Sequence, residues 1–322
     1  MCPDRLHGRL AAGKNGGSDM KLFTTAGEMD LSQVNQMLPH EHVFTDLRQS
    51  NTPGFGEADP EDVIALTGPA LADLKARGIN VMVEATPVGV GRRTDILKAV
   101  SQSQDFPLVV PTGIYREPWV PRWAINASAE ALTEWMISEL SNEIEQTGIK
   151  ADWIKISAGD NGITAVEEKI LRAAIRAAKT CGAVIGSHTI RGEVVSQQVD
   201  IIEEEGYDPR RFIWIHTQAE PDTKLHLSLA ARGVWLEFDG IGGGASDEQY
   251  LGWLDSVFDA GFGKQVMISQ DRGWFDPAHP GGEHFKPYTY LSDVFLPKLK
   301  ARGLGASISQ LMRDNPFNAF AR

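Results

Sequence analysis

Along the chain, short apolar runs rich in β-branched and aromatic residues alternate with longer stretches whose apolar positions recur every three or four residues. Eight short runs stand out: Met37–His42, Asn80–Thr86, Leu108–Ile114, Trp153–Ala158, Ala183–Thr189, Phe212–Thr217, Val234–Asp239 and Gln265–Asp271. They lack a clean polar face, as expected of strands covered on both sides. Between them, Ala165–Cys181 and Glu193–Glu205 place charged residues between apolar ones at helical spacing, which predicts helices with one buried face. Successive runs advance by roughly 33 residues, the room needed for one strand, one helix and two short loops. Eight such units predict an α/β fold, a closed (β/α)8 barrel. An open doubly wound sheet has the same periodicity.

No Gly/Ser-rich linker or shift in composition divides the chain after Lys21, so residues 21–322 read as one domain. Residues 1–20 are rich in Gly, Ser and charge, and are expected to form a flexible extension. They hold no apolar stretch that could serve as a signal-peptide core, and AAGKNGG within them misses the phosphate-loop spacing.

Composition narrows the function. The 322 residues include 31 basic and 43 acidic side chains, a net charge of −12, and are 42% hydrophobic. A chain of this size buries enough apolar surface to fold without a disulfide or structural metal, so a metal bound here would serve chemistry. Without clustered Lys and Arg, nucleic acid and anionic membrane surfaces are excluded as partners. No apolar segment approaches the roughly 20 residues that a membrane span requires. The expected partner is a small-molecule substrate, with a homodimer as the assembly to test. Cys2 and Cys181 are the only cysteines, and Cys181 falls in a helical pattern, which fits a reducing cytoplasm.

The chemistry concentrates where the runs end. His40 and His42 lie two apart on the first run, so a strand points both the same way, into the barrel. His188 closes the fifth run, His216 the sixth and Asp271 the eighth. Four of the chain's eight histidines and a carboxylate thus gather at the carboxyl rim, where barrel enzymes keep their active sites, and their donor types suit a metal. In the fourth run the alternation sends Trp153, Lys155 and Ser157 inward and Ile154 and Ile156 outward. A bare ammonium at Lys155 beside metal cations would suffer desolvation and repulsion. It could be relieved by an acid such as Glu84 or Asp271, or by carbamylation, which makes it an anion with two oxygens able to bridge two ions. A Ser-His-Asp hydrolase is not supported, because no GxSxG elbow occurs.

These motifs resemble a known group. LPHEHVF, WIKIS, GSHT, IWIHT, ISQD and the closing DNPFNAF, with EEGYDPRRF and LAARG between them, follow the order and spacing of the phosphotriesterase-like family of the amidohydrolase superfamily. The resemblance covers nearly everything after Lys21. It implies a (β/α)8 barrel holding two divalent metal ions, with His40, His42 and Asp271 on the buried ion, His188 and His216 on the outer one, and carbamylated Lys155 between them. Zinc is the implied metal, and the same donors suit cobalt, manganese or iron. Two such ions about 3.5–4 Å apart acidify a bridging water that attacks the substrate, with Asp271 as base and later proton donor.

The resemblance also bears on substrate. In PTGIYREP, Tyr115 stands where lactone-hydrolysing relatives carry a tyrosine over the metals, implying a lactone or related carboxylic ester; otherwise Tyr115 packs the rim of the third strand. In LEFDGIGGG, Gly240 replaces the His or Arg of relatives and is expected to leave open space beside the outer ion. HTQAEPD lacks the acid that follows HT in phosphotriesterases, so their proton relay is absent and organophosphate hydrolysis should be poor. Loss of the Arg likewise weakens the case for acyl-homoserine lactones. The stretch from Arg272 to Tyr288 reads as a long loop, either solvated surface or a lid whose Trp274 and Phe275 contact substrate, with Arg272 or Lys286 free for a carboxylate. It also carries His279 and His284, while His226 reads as an ordinary helix residue. The alternatives are a phosphoester or amide as the bond cleaved, or a metal-binding receptor without turnover. Deaminase- and nuclease-type amidohydrolases lack a bridging lysine on the fourth strand.

Overall fold

The structure is a computed structural model that describes residues 20–322. Apart from Met20, the expected extension at residues 1–20 lies outside the described residues, as does Cys2.

Among the described residues twelve strands occur: β1 (Leu22–Thr24), β2 (Gly27–Met29), β3 (Met37–Phe44), β4 (Val81–Glu84), β5 (Leu108–Val109), β6 (Pro111–Thr112), β7 (Trp153–Ser157), β8 (Ile185–His188), β9 (Phe212–Ile215), β10 (Trp235–Phe238), β11 (Val266–Ile268) and β12 (Gly273–Phe275). From β3 to β11 they form the parallel stave order of a (β/α)8 barrel. β5 and β6 are two halves of one stave, β5 pairing with β4 and β6 with β7. The break falls at Val110, beside Pro111, which has no N–H to give the ladder. The ring closes between the last stave and the first. His40 N–H donates to Ser269 Oγ at 3.2 Å, and β12 pairs with β3 through Gly273↔His42 and Phe275↔Phe44.

Strand alternation splits the core in two. Outward residues such as Ile154, Ile156, Trp214, Leu236 and Ile268 pack beneath the surrounding helices. The helices end where local chemistry ends them. Ala165–Cys181, predicted with those bounds, starts at a Thr164–Glu167 capping box and stops at Gly182 with φ +70. The helix expected over residues 193–205 spans Gly192–Glu204.

The inner core fills the amino end of the barrel, where Met37, Val81 and Trp153 begin their staves and Val184 leads into β8. An antiparallel β1–β2 hairpin, joined to β5 through Thr24↔Val109, closes that end together with the last helix, Asn315–Phe320. Phe320 meets Trp153 edge-on at 5.1 Å, and Lys21 and Arg322 exchange backbone hydrogen bonds of 3.1 and 3.0 Å. With one mouth plugged, the carboxyl end is left for chemistry. Among the described residues, no helix is long and apolar enough to cross a membrane.

Two expectations change. The segment after Asp271 is not a plain loop, because β12 extends the sheet there. Phe275 is 1% exposed and stacks on Phe44 at 5.8 Å, so it belongs to the core and not to a substrate wall. It alternates with Trp274 along β12, and only Trp274 faces the mouth.

Candidate metal centre

β3 delivers His40 and His42 to the barrel interior, β7 delivers Lys155, and β8 ends at His188. His216 and Asp271 lie just beyond β9 and β11, at φ 66 and φ 50. Such left-handed conformations cost a non-glycine residue about 1–3 kcal/mol and persist where neighbours hold them. For Asp271 the holder is Glu41, the middle residue of HEH. Its carboxylate faces away from the two histidines and accepts from Ser269 Oγ at 2.8 Å, Gln270 N at 3.2 Å and Arg272 N at 2.7 Å.

The six predicted ligand residues line one cavity of about 240 Å³, together with Tyr115 and Trp274. Ring centroids lie 5.4 Å apart for His40 and His42, 5.3 Å for His40 and His216, and 4.4 Å for His188 and His216. Each of three rings has one nitrogen fixed from behind. His40 Nδ1 is 3.0 Å from Glu237 Oε2, His42 Nδ1 is 2.6 Å from Thr86 Oγ1, and His216 Nδ1 is 2.7 Å from Asp239 Oδ1. This turns the other nitrogen toward the cavity, the way histidines are prepared to bind metal. His42 Nε2 lies 3.1 Å and His40 Nε2 3.7 Å from Asp271 Oδ1. His40 Nε2 and Asp271 Oδ1 are buried without a hydrogen-bond partner.

Electrostatics argue the same way. Glu84, Glu237, Asp239 and Asp271 approach the cavity, and the ammonium facing them belongs to Lys155. Burial drives the Lys155 amine down to about 8 and the Glu237 carboxyl well above its ordinary range, the latter reinforced by Asp239. Burial also holds His40 and His188 well below the usual imidazole range, with neighbouring cations adding to it. At His42 burial opposes the charge, but the nearby Asp271 and Glu84 carboxylates outweigh it and lift the ring to about 9. Orphaned inward ligand atoms, buried carboxylates and the neutral imidazoles of His40 and His188 are a set that divalent cations would satisfy. Lys155 is 2% exposed and, among the described residues, forms no hydrogen bond or ion pair, so the expected pairing to Glu84 or Asp271 is not formed.

Glu237 and Asp239, which orient two of the histidines, were not singled out from the sequence, and neither were Thr86 and Glu41. A signal was present. Glu237 and Asp239 stand two apart on the seventh run, the spacing that marked His40 and His42.

The substrate side lies above. The Tyr115 hydroxyl is 3.2 Å from both ring nitrogens of His188, and burial pushes its phenol up to about 12. The Trp274 ring stands 5.2 Å from His42, at φ 75, with a buried and unpartnered Nε1. Leu47, Asp271 and Trp274 are shared with a second, outer cleft of about 750 Å³. Its walls include Gly240, Gly242, Gly243, Tyr250, Arg272 and Lys286. Arg272 is not free. It donates to Gly242 O at 3.0 Å and covers the Tyr290 ring at 4.9 Å, tying two loops together. Gly240 borders the cleft, but the open space expected beside it is absent. A Cβ there would stand 2.7 Å from Tyr250 Oη and 2.8 Å from Gln218 Nε2. Gln218 fills that side and donates to Asp239 Oδ1 at 2.6 Å.

The comparisons agree with this geometry. The profile described as the phosphotriesterase family matches residues 20–320. A phosphotriesterase homology protein of Mycobacterium tuberculosis is 28% identical over 94% of this chain and 98% of its own length. Among solved structures, one described as the engineering of organophosphate hydrolysis activity from a weak promiscuous lactonase template is 28% identical, with a TM-score of 0.82 over 94% of this chain and 100% of its own. A substituted organophosphorus hydrolase from Deinococcus radiodurans is 29% identical, with a TM-score of 0.83 over 94% of this chain and 98% of its own.

Proposed function

The chain belongs to the phosphotriesterase family and is a metal-dependent hydrolase, and we propose that within this family it opens a lactone or a related carboxylic ester. The observation that carries the reading is the Tyr115 hydroxyl, set 3.2 Å from the His188 ring at the entrance to the inner cavity. A phenol donor suits the ring or carbonyl oxygen of a planar ester. The solved relative described as a lactonase template supports the same class.

In this reading His40, His42 and Asp271 would hold the inner ion and His188 and His216 the outer one, and Lys155, as its carbamate, would supply a further anionic ligand. An unpaired, partly neutral amine is the form that adds carbon dioxide, and Lys155 meets that requirement through its burial, which outweighs the carboxylates facing it. Zinc fits these donors, with cobalt, manganese or iron as substitutes. When bound, the two ions supply a water acidified toward neutral pH and Lewis-acid polarisation of the scissile carbonyl.

The remaining work falls to side chains. Asp271 faces the cavity, and its carboxylate takes the proton of the attacking water, then returns it to the leaving alkoxide. Glu41 fixes the backbone on both sides of Asp271, so the carboxylate need not search for its place. Tyr115 donates to the substrate oxygen, and Trp274 Nε1 offers a second unclaimed donor beside His42. The lactone ring occupies the inner cavity and its substituent the glycine-lined cleft, whose volume lies in the range of small-molecule pockets.

The test is a panel of lactones, aryl esters and aryl phosphotriesters assayed with metal-reconstituted protein, beside elemental analysis. A lactone is expected to give the highest kcat/KM, with about two ions per chain. Preference for a phosphotriester overturns the substrate, and full activity with one ion overturns the binuclear site.

A further inference from the structure

Outside the barrel, a second set of metal-ligating side chains converges on the loop that borders the cleft. The loop base is fixed by two backbone hydrogen bonds of 3.0 Å between Gly273 and Lys286. Buried Phe275 and Tyr288 anchor its two ends in the core. Between them the chain runs through successive turns, with His279 N donating to Asp276 O at 2.9 Å, Gly282 N to His279 O at 3.1 Å and Phe285 N to Gly282 O at 3.1 Å. Gly282 sits at φ +86 against Leu66, where a Cβ would come within 2.9 Å, so the loop rests on the helix Pro60–Ala76.

These turns bring three donors to one point. Asp276 Oδ2 lies 3.0 Å from His279 Nδ1 and 2.9 Å from His284 Nδ1, and the two rings are 4.3 Å apart. Asp276 Oδ1 is separately engaged by the Ala278 N–H at 2.9 Å. Ligands of a tetrahedral zinc-type ion bound at 2.0–2.1 Å stand about 3.3 Å from one another. The two Asp276–histidine distances therefore need to lengthen by only a few tenths of an ångström to admit an ion, which would replace the two N–H protons now shared with Asp276. The three ligand atoms already lie within 4.8 Å of one another.

We propose that Asp276, His279 and His284 form a separate, exchangeable site for a divalent transition metal, which staples the loop over the substrate cleft. Two imidazoles and one carboxylate select zinc, cobalt or nickel over magnesium or calcium. The histidine side chains are 48% and 51% exposed, so water completes the coordination and the ion exchanges with solvent. His284 also lines the outer cleft, so occupancy fixes part of its wall.

Full-length protein stripped with a chelator would be titrated with Zn²⁺ and Co²⁺, following bound metal by equilibrium dialysis and loop protection by hydrogen exchange. The wild type is expected to hold one ion more per chain than His279→Ala or His284→Ala, however many ions remain in the barrel, so the result is independent of the binuclear reading. Asp276→Asn, which keeps the shape of the cluster, should weaken the extra ion about tenfold or more. Exchange of residues 276–285 should slow with metal in the wild type alone. Equal stoichiometry in wild type and variants up to millimolar free metal, or loop exchange indifferent to metal, overturns the site and leaves a hydrogen-bonded brace.

Discussion

Asp239→Asn separates the two ions of the proposed centre. Asp239 holds His216 at two points: Oδ1 takes the ring Nδ1–H at 2.7 Å, and Oδ2 accepts the His216 backbone N–H at 2.9 Å. The second bond helps to hold His216 at φ 66, a conformation worth about 1–3 kcal/mol of strain. An asparagine cannot serve both donors, because either way its amide turns, an NH2 group confronts an N–H. Losing one charge-assisted bond costs about 1.5–3 kcal/mol, which agrees with the 10–100-fold loss of metal affinity typical when such orienting partners are removed, about 1.4–2.8 kcal/mol. The loss should fall chiefly on the outer ion, since Asp239 Oδ2 bonds the His216 backbone but stands 3.5 Å from His40 Nδ1, whose 3.0 Å partner is Glu237. Thr86→Val is the reciprocal case. The Thr86 hydroxyl commits its proton to Phe44 O at 3.1 Å and accepts from His42 Nδ1 at 2.6 Å, so valine keeps the shape, removes the acceptor and should weaken the inner ion by about tenfold. Stepwise metal release to a colorimetric chelator reads both ions in one experiment. If Asp239→Asn loosens both ions equally, or neither, the assignment of His216 to a distinct outer ion is wrong.

Tyr115→Phe keeps the ring contacts to His188 and Trp119 and should retain metal while lowering kcat/KM for a good lactone by about 1.5–3 kcal/mol; an equal small loss on an aryl phosphotriester would make Tyr115 a packing residue. Lys155→Ala should lose both ions and turnover, with partial rescue by a short carboxylic acid that Lys155→Met, whose side chain fills the gap, does not share; full metal content and rate in Lys155→Ala would refute the carbamate. Phe275→Ala should destabilise the fold by about 3–5 kcal/mol in denaturant titration, as a buried aromatic does, whereas a loss within the range of a surface change would return Phe275 to the substrate wall. Burial lifts Asp152 from 3.8 to about 7, so the native state holds its proton more tightly and stability falls as pH rises between those values, by a few kcal/mol at about 1.4 per unit. The melting-temperature advantage of Asp152→Asn over wild type should therefore grow from pH 5 to pH 8, and a constant difference would contradict this account.

The barrel was legible because each stave and helix carries its own period. The helix Ala165–Cys181 could be bounded in advance, since Thr164, Glu167 and Gly182 mark its ends chemically. What escaped depends on pairing across the chain. The β1–β2 hairpin has three residues per strand, too few for a period, and owes its place to the free edge of β5. β12 is equally short, and its burial comes from pairing with β3, remote in sequence, through Gly273↔His42 and Phe275↔Phe44. The break at Val110 could have been foreseen from Pro111, whose missing N–H interrupts any ladder.

At the site, the residues that would touch metal were legible and those that hold them were not, for a physical reason. Histidines at strand ends are few, so their convergence is informative. Acids are common, and nothing local distinguishes Glu237, which fixes His40 from across the barrel, from a glutamate facing solvent. The distinction was available only by applying to Glu237 and Asp239 the two-residue rule already applied to His40 and His42. Gly240 shows the opposite error. Comparing side chains at one position suggested a vacancy, but a folded interior does not leave the volume of a missing side chain empty; neighbours fill it. Here Gln218 and Tyr250 fill it, and Gln218 reaches Asp239 with the hydrogen bond that now ties the two loops beside the outer ion's proposed ligands. A substrate substituent that exploits the small residues of this loop must therefore do so along the outer cleft, past Gly242 and Gly243, and not beside His216.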